Sequence, residues 1–167
     1  GLPRAAQLGG RIALFLVERS ASGVARGYGT QEGGRAAELA LTNASATRVT
    51  TDGLAALELA QDVGIAATCA YAVGVMDETL RLTAEYMNQR KQFGVTIASF
   101  QALRHRMADM KMQLELARSM SYYASLKLGA EPGERRQALS RAKVQLGHSM
   151  RFVGQQAVQL HGGIGVT

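Results

Sequence analysis

A single cysteine, Cys69, stands among 167 residues, so no disulfide can form within the chain. It lies inside an apolar helical pattern, where a lone thiol reads as a small, inert, buried hydrophobe, and the expected compartment is the cytoplasm. Tryptophan is absent, and aromatics make up only 5% of the residues. Those few do not alternate with basic residues, as stacking on nucleic-acid bases would require. The net charge of +6 and the pI near 9.9 admit a nucleic acid, an acidic protein or a polyphosphate ligand as partner. Acids such as Glu115, Glu131 and Glu134 stand between the cations, however, so these positions read as solvated faces and nucleic acid is not expected. No uninterrupted apolar run approaches the length of a bilayer span, and no membrane partner is expected. A charged stretch followed by an apolar one, the form of an export signal, does not open the chain. His105, His148 and His161 sit at no metal-ligand spacing, so no metal is expected. His105 reads as a packed or capping histidine and His161 as a helix C-terminal cap.

What is present is a globular composition, 47% apolar and 19% charged. The length suits one domain plus part of another. The first fifty residues read as β structure. Residues 12–17 are rich in strand formers, and Ser20-Ala21-Ser22-Gly23 reads as a turn. Ala37, Leu39 and Leu41 alternate with Glu38, Ala40 and Thr42, as in a half-buried strand ending near Asn43. Between them, the glycines from Gly27 to Gly34 have the wrong spacing for a dinucleotide fingerprint, and a strand follows where a helix is needed. A hairpin or crossover loop is expected there.

From Thr51 onward the period becomes helical, with Thr51 or Asp52 as the expected first cap. Ile65, Cys69, Ala72, Met76, Leu80, Thr83 and Met87 form one stripe at steps of three and four. A second helix, capped by Ser99, carries Phe100, Leu103, Met107, Met110, Leu114, Ala117 and Met120. A loop over residues 129–133 precedes a third, which carries Leu139, Ala142, Leu146, Met150, Val153, Ala157 and Leu160 and stops at Gly162-Gly163. The expected fold is mainly α: long antiparallel helices of an incomplete four-helix up-and-down bundle, preceded by a short β segment from a β-barrel-like domain. The chain opens on Gly1 and ends at Thr167, where a fourth helix is expected to follow. It therefore reads as part of a longer product, or as a chain that a partner completes.

Two strings at helix ends carry chemistry. Arg90-Lys91-Gln92-Phe93-Gly94 sets a cation beside an amide and an aromatic ring, and an arginine can fork onto phosphate oxygens. Gln159-Leu160-His161-Gly162-Gly163 sets an amide before a glycine pair, where backbone N–H groups can approach an anion that a Cβ would block. Together they read as two halves of a pocket for a phosphate-bearing cofactor. Gly147-His148-Ser149 is not a nucleophile elbow, because the flanking strand and second glycine are missing.

Four stretches, in order, resemble the acyl-CoA dehydrogenase family of flavoproteins. Tyr86-Met87-Asn88-Gln89-Arg90-Lys91-Gln92-Phe93-Gly94 resembles its Y-x-x-x-R-x-Q-F-G. Ile97-Ala98-Ser99-Phe100-Gln101, followed by His105 and Met107-Ala108-Asp109-Met110, resembles its I-x-x-F-Q…H-x-x-A-D-M. Leu114-Glu115-Leu116-Ala117-Arg118 resembles its L-E-x-A-R, and residues 159–167 its Q-x-x-G-G-x-G-x-T. The resemblance implies that residues 1–50 are the last strands of the family's middle β domain and residues 51–167 most of its C-terminal helical bundle. It implies FAD as cofactor. Residues matching Arg90 and Gln92 reach the FAD pyrophosphate of a neighbouring subunit, with the one matching Phe93 packing beside them. Those matching Phe100 and Gln101 lie near the adenosine, and those matching Gln159, Gly162 and Gly163 close over the pyrophosphate and adenine from the partner.

The implied reaction removes two hydrogens across the α and β carbons of an acyl-CoA thioester. A carboxylate takes the α proton, the flavin takes the β hydride, and hydrogen bonds to the thioester carbonyl steady the enolate. Of the two positions from which the family supplies that carboxylate, one aligns with Gly64 and the other lies beyond Thr167, so no catalytic base is expected among these residues. Neither Glu58 nor Asp62 replaces it. Asp62 matches a substrate-contacting position, although its usual arginine neighbour is Ile65 here. The implied partners are the acyl-CoA substrate, a second copy or homologous subunit in a dimer or tetramer, and an electron-transferring flavoprotein as acceptor. This stretch alone is expected to be inactive. Two other readings stay open: a base-lacking partner subunit of a hetero-oligomeric dehydrogenase, and a non-enzymatic helical interaction module.

Overall fold

In the computed structural model, residues 2–18 and 23–166 are described, and they fall into two compact units, Gly1–Leu59 and Ala60–Thr167. The turn expected at Ser20-Ala21-Ser22 lies outside the described residues.

In the first unit, β1 (Leu2–Leu8) turns through Gly9 and Gly10 into β2 (Arg11–Val17), and the two pair antiparallel. On its other edge β2 pairs with β5 (Ala46–Thr50), with a register shift at Leu14/Phe15. A separate hairpin joins β3 (Gly23–Gly29) to β4 (Arg35–Ala40). Its turn is closed by the Gly33 N–H donating to the Thr30 carbonyl at 3.0 Å, so the glycine-rich stretch is a hairpin whose first arm is itself a strand. In β2, Ala13 and Val17 are buried. In β4 the expected alternation is only partly met: Leu39 and Ala36 are half-buried, while Ala37 is exposed, as is Leu41 beyond the strand end.

Helix α1 (Leu54–Gln89) begins in the first unit and continues through the second. Neither Thr51 nor Asp52 caps it. The Asp52 N–H donates to Thr50 Oγ1 at 3.1 Å, and Gly53, whose own N–H donates to the Ile12 carbonyl, supplies the carbonyl that accepts the first helical bond, from Leu57. By length and mean hydropathy, 1.4 over its most apolar window, α1 could cross a bilayer, which the count of uninterrupted apolar residues did not suggest. In the structure 33% of that window is buried; of the expected stripe, Cys69, Ala72, Met76, Thr83 and Met87 are buried, while Ile65 and Leu80 are half-buried.

The second unit is completed by α2 (Gln101–Leu126) and α3 (Pro132–His161). A 3-10 turn, Lys127–Gly129, leads from α2 to α3, and a link this short makes those two antiparallel; α1 reaches α2 through residues 90–100, which end in the 3-10 turn Ile97–Ser99. The expected Ser99 cap is not formed. Its hydroxyl turns back to donate to the Thr96 carbonyl at 2.7 Å, and Phe100 takes the cap position without a side-chain bond. The loop is shorter than expected, because Pro132 already occupies the first helical position of α3, where its missing N–H costs nothing. Met110, Leu114, Leu139 and Val153 are completely or almost completely buried and form the seam between α2 and α3.

Two polar insertions break the apolar pattern. Met150, expected in the core, is 40% exposed, and its neighbour Ser149 is fully buried instead. The Ser149 hydroxyl donates to Gln113 Oε1 at 3.0 Å and accepts from Gln145 Nε2 at 3.1 Å, so the buried polar group is satisfied. Near the start of the unit, Asp62 and Arg135 are both buried and form an ion pair, Arg135 Nε donating to Asp62 Oδ2 at 2.7 Å.

Candidate functional site

Both chemical strings lie where α1 and α3 end. Helical bonding in α1 runs one residue past Gln89, with the Arg90 N–H donating to the Tyr86 carbonyl at 2.8 Å. The chain then forms a short hairpin, β6 (Lys91–Gln92) against β7 (Val95–Thr96), locked at its base by the Ile97 N–H donating to the Arg90 carbonyl at 2.8 Å. A two-residue hairpin turn of this kind needs positive φ at both central positions. Phe93 and Gly94 have φ of 55° and 80°. A phenylalanine held in the left-handed region is a strained choice, and its ring is 90% exposed at the hairpin tip. The ring meets Phe100 edge-on, with centroids 6.1 Å apart.

At the end of α3, Gly162 has φ 64° and ψ −138°, a conformation open to glycine and costly for any residue with a Cβ. Its N–H donates to the Gln159 carbonyl. The expectation of an open backbone N–H at Gly162 is therefore not met: that donor is engaged, and what the glycine offers is a surface without a Cβ. Added side-chain carbons at Gly162 and Gly163 would meet nothing within 4 Å. Gly165 is different, because a Cβ there would lie 2.5 Å from the Val158 carbonyl oxygen and 3.1 Å from His161 Cβ. Gly165→Ala is expected to cost about 1–3 kcal/mol through displaced backbone, read as a lowered thermal midpoint of the full-length protein.

A cavity of about 400 Å³ brings Arg90, Gln92, His161, Gly162 and Gly163 together within one chain. Tyr86, Ile97, Leu160 and Ile164 supply the rest of its wall, and no carboxylate lines it. Several cations elsewhere in the second unit are paired: Arg81 with Glu78 and Glu85, Arg118 with Asp77, Lys127 with Glu134. The Arg90 guanidinium has no such partner among the described residues. An exposed, unpaired fork beside a turn without side chains suits a dianion such as a pyrophosphate. The donor set therefore fits the FAD that the resemblance implies.

The other expected site residues are spread around this cavity. Phe100 is half-buried and Gln101 exposed at the start of α2, outside the cavity wall. Gln159 meets the glycine turn through its backbone carbonyl, while its side chain lies outside the wall. Asp62 is elsewhere on α1, is only 4% exposed, and has its carboxylate occupied by Arg135. Gly64 lines a second, largely apolar cavity of about 360 Å³ between α1 and α3, which also exposes faces of Cys69, Lys143 and Met150. Burial pushes the Cys69 thiol up from its ordinary value, more than the nearby Lys143 charge lowers it, so the thiol stays protonated and unreactive.

The sequence reading did not anticipate the contact between Tyr86 and His161. The rings stack with centroids 4.5 Å apart, and the Tyr86 hydroxyl donates to the His161 carbonyl at 3.2 Å. Both residues fall inside the motifs, which was the available signal.

Comparison with known proteins points the same way. The pattern describing the acyl-CoA dehydrogenase C-terminal domain matches residues 51–167. The acyl-CoA dehydrogenase IpdE2 of Mycolicibacterium smegmatis is 37% identical over 114 residues, 65% of this chain and 35% of that protein. Among solved structures, the Tcur3481-Tcur3483 steroid ACAD is similar with a TM-score of 0.84 at 29% identity, covering 98% of this chain and 45% of that one. The ChsE4-ChsE5 complex from Mycobacterium tuberculosis is similar with a TM-score of 0.84 at 25% identity, covering 99% and 45%. The chain thus spans about a third of the length of such curated relatives.

Proposed function

Because this chain belongs to the acyl-CoA dehydrogenase family, we propose that it is part of an FAD-dependent enzyme that converts an acyl-CoA thioester to the 2-enoyl-CoA. Residues 1–50 supply the last strands of the middle β domain and residues 51–167 most of the helical bundle. The observation that supports this reading is the single cavity lined by Arg90, Gly162 and Gly163, with no acid in its wall and no ion-pair partner for Arg90 among the described residues. When bound, the flavin accepts the hydride from the β carbon. The residues of this chain hold it. Arg90 would fork onto the pyrophosphate, the Gln92 amide would add a donor, and the bare turn at Gly162 and Gly163 would let the diphosphate approach the backbone. Tyr86, Ile97 and Leu160 keep the cavity floor apolar, which strengthens the charged contacts above it. Phe93, Phe100, Gln101 and Gln159 form the rim toward the nucleotide.

No base is assigned to these residues, since Gly64 has no side chain and Asp62 is held by Arg135. For Asp62, a substrate contact would require that pair to open. In the complete enzyme, apolar residues exposed on the bundle, including Tyr71, Met112, Tyr122 and Leu126, pack against a second copy or homologous subunit. The electron acceptor would be an electron-transferring flavoprotein.

The test is to purify the full-length protein and add acyl-CoA thioesters without oxygen. Stoichiometric bound FAD that bleaches is the expected result. A protein that takes up no FAD would overturn the reading. Bound flavin that no acyl-CoA bleaches would point to a subunit that holds the cofactor but lacks the base.

A further inference from the structure

The contact between Tyr86 and His161 does more than pack two helix ends. The last carbonyls of a helix have no partner within it, and the Tyr86 hydroxyl satisfies the one at His161. That carbonyl belongs to the peptide unit leading into Gly162, whose N–H donates to Gln159. The peptide before the glycine pair is therefore held at both of its polar atoms. His161 is in turn oriented by Nδ1, which lies 2.8 Å from the Ala157 carbonyl; a carbonyl only accepts, so Nδ1 carries the proton. The imidazole is thus presented as a fixed plate for the Tyr86 ring.

Tyr86 also reaches the other half of the cavity. Its own carbonyl accepts the Arg90 N–H, and a spacing of four residues sets both side chains on one face of the helix end. One residue is therefore bonded through its backbone to the cation's residue and through its phenol to the peptide that opens the glycine turn. Tyr86 and His161 also line the cavity wall, so Tyr86→Phe, which keeps the ring and removes only the hydroxyl, separates spacing from direct ring contact.

We propose that Tyr86 and His161 are positioning residues: a clasp that sets the distance between the Arg90 guanidinium and the Gly162-Gly163 turn, and so tunes the grip on a nucleotide diphosphate. This rests on the flavin reading above and adds the residues that give the site its spacing. A purely structural role would make the clasp matter for folding and not for affinity, so the two are separable.

The experiment uses the full-length protein, stripped of flavin and titrated with FAD by flavin fluorescence, alongside the thermal midpoint of the stripped protein. Tyr86→Phe keeps the stack and removes one hydrogen bond, and is expected to weaken FAD binding about 3–10-fold. His161→Ala removes the stack and is expected to weaken it about 10-fold or more. His161→Phe, which restores a ring, is expected to recover most of that loss. The midpoint of the stripped Tyr86→Phe protein should stay close to wild type. Arg90→Ala is the control for the flavin reading itself. If Arg90→Ala weakens binding while Tyr86→Phe and His161→Ala leave it unchanged, the clasp is overturned and the flavin reading stands. The clasp is equally overturned if affinity falls only in step with the midpoint and His161→Phe restores neither. If Arg90→Ala has no effect on FAD, both proposals fall together.

Discussion

Arg135→Ala is expected to lower the unfolding free energy of this bundle by about 3–5 kcal/mol, the cost of leaving one partner of a buried ion pair uncompensated. Asp62 is 4% exposed and Arg135 is 9% exposed. Nε of Arg135 donates to Asp62 Oδ2 at 2.7 Å, and Nη1 donates to the Ala130 carbonyl at 3.3 Å. The guanidinium thus ties α1 to α3 and also holds the backbone just before α3 begins. Without it, the Asp62 carboxylate is left in apolar surroundings, where an ion without a partner pays its full desolvation cost. The double replacement Asp62→Leu with Arg135→Met is expected to regain most of the loss, since a well-packed apolar pair often matches a buried salt bridge. Urea unfolding followed by helical circular dichroism on the full-length protein would check both. A single-variant cost below about 1 kcal/mol, the range of an exposed pair, would show that this ion pair is hydrated in solution.

That pair also shows where the sequence stops being informative. The stripe on α1 was legible because Ile65, Cys69, Ala72, Met76, Leu80, Thr83 and Met87 repeat with the helical period; all are buried except Ile65 and Leu80, which are half-buried. Periodicity says nothing about pairing across 73 positions, which is the separation of Asp62 and Arg135. It also favours the apolar residue at each step. Met150 was therefore expected inside, although Ser149 is the buried residue, made admissible by hydrogen bonds to Gln113 and Gln145 that only the packed α2–α3 face provides.

The helix caps failed for a local reason. The Ser99 hydroxyl bonds the Thr96 carbonyl three residues back, and before α1 the Asp52 N–H bonds Thr50 Oγ1 while Gly53 supplies the first helical carbonyl, which leaves neither Thr51 nor Asp52 as the cap. In β4 the alternation was readable, but what covers each face was not, so Ala37 and Leu41 are exposed where burial was expected.

Part of the candidate site was legible because its residue types are unusual at helix ends, although Phe93, Phe100, Gln101 and Gln159 lie outside the cavity wall. Arg90 and the glycine pair were singled out as two halves of one pocket, and they do line a single cavity. The reading could not see that Gly162 spends its N–H on Gln159, which depends on how the last turn of α3 closes. Nor could it pair Tyr86 with His161, since that contact depends on where α1 and α3 end relative to each other.

Arg90→Ala is expected to weaken FAD binding to the full-length protein by about 100-fold, the loss of a bidentate contact to a charged group. Three features single out this residue. Its guanidinium has no ion-pair partner among the described residues, so no internal contact competes for the ligand. It shares the cavity with a turn free of Cβ atoms and with no carboxylate. Its backbone is fixed on both sides, the N–H by Tyr86 and the carbonyl by Ile97, so the side chain starts from a defined place. Arg90→Lys keeps the charge but loses the planar fork, and is expected to recover only part of the affinity. Because the group is exposed, its contribution should fall as ionic strength rises, and the gap between wild type and Arg90→Ala should narrow in high salt. Fluorescence titration of the flavin-free protein at low and high salt measures all three. A dissociation constant for Arg90→Ala within about threefold of wild type, corresponding to less than one ordinary hydrogen bond, would remove the diphosphate from this cavity and the proposed cofactor role with it.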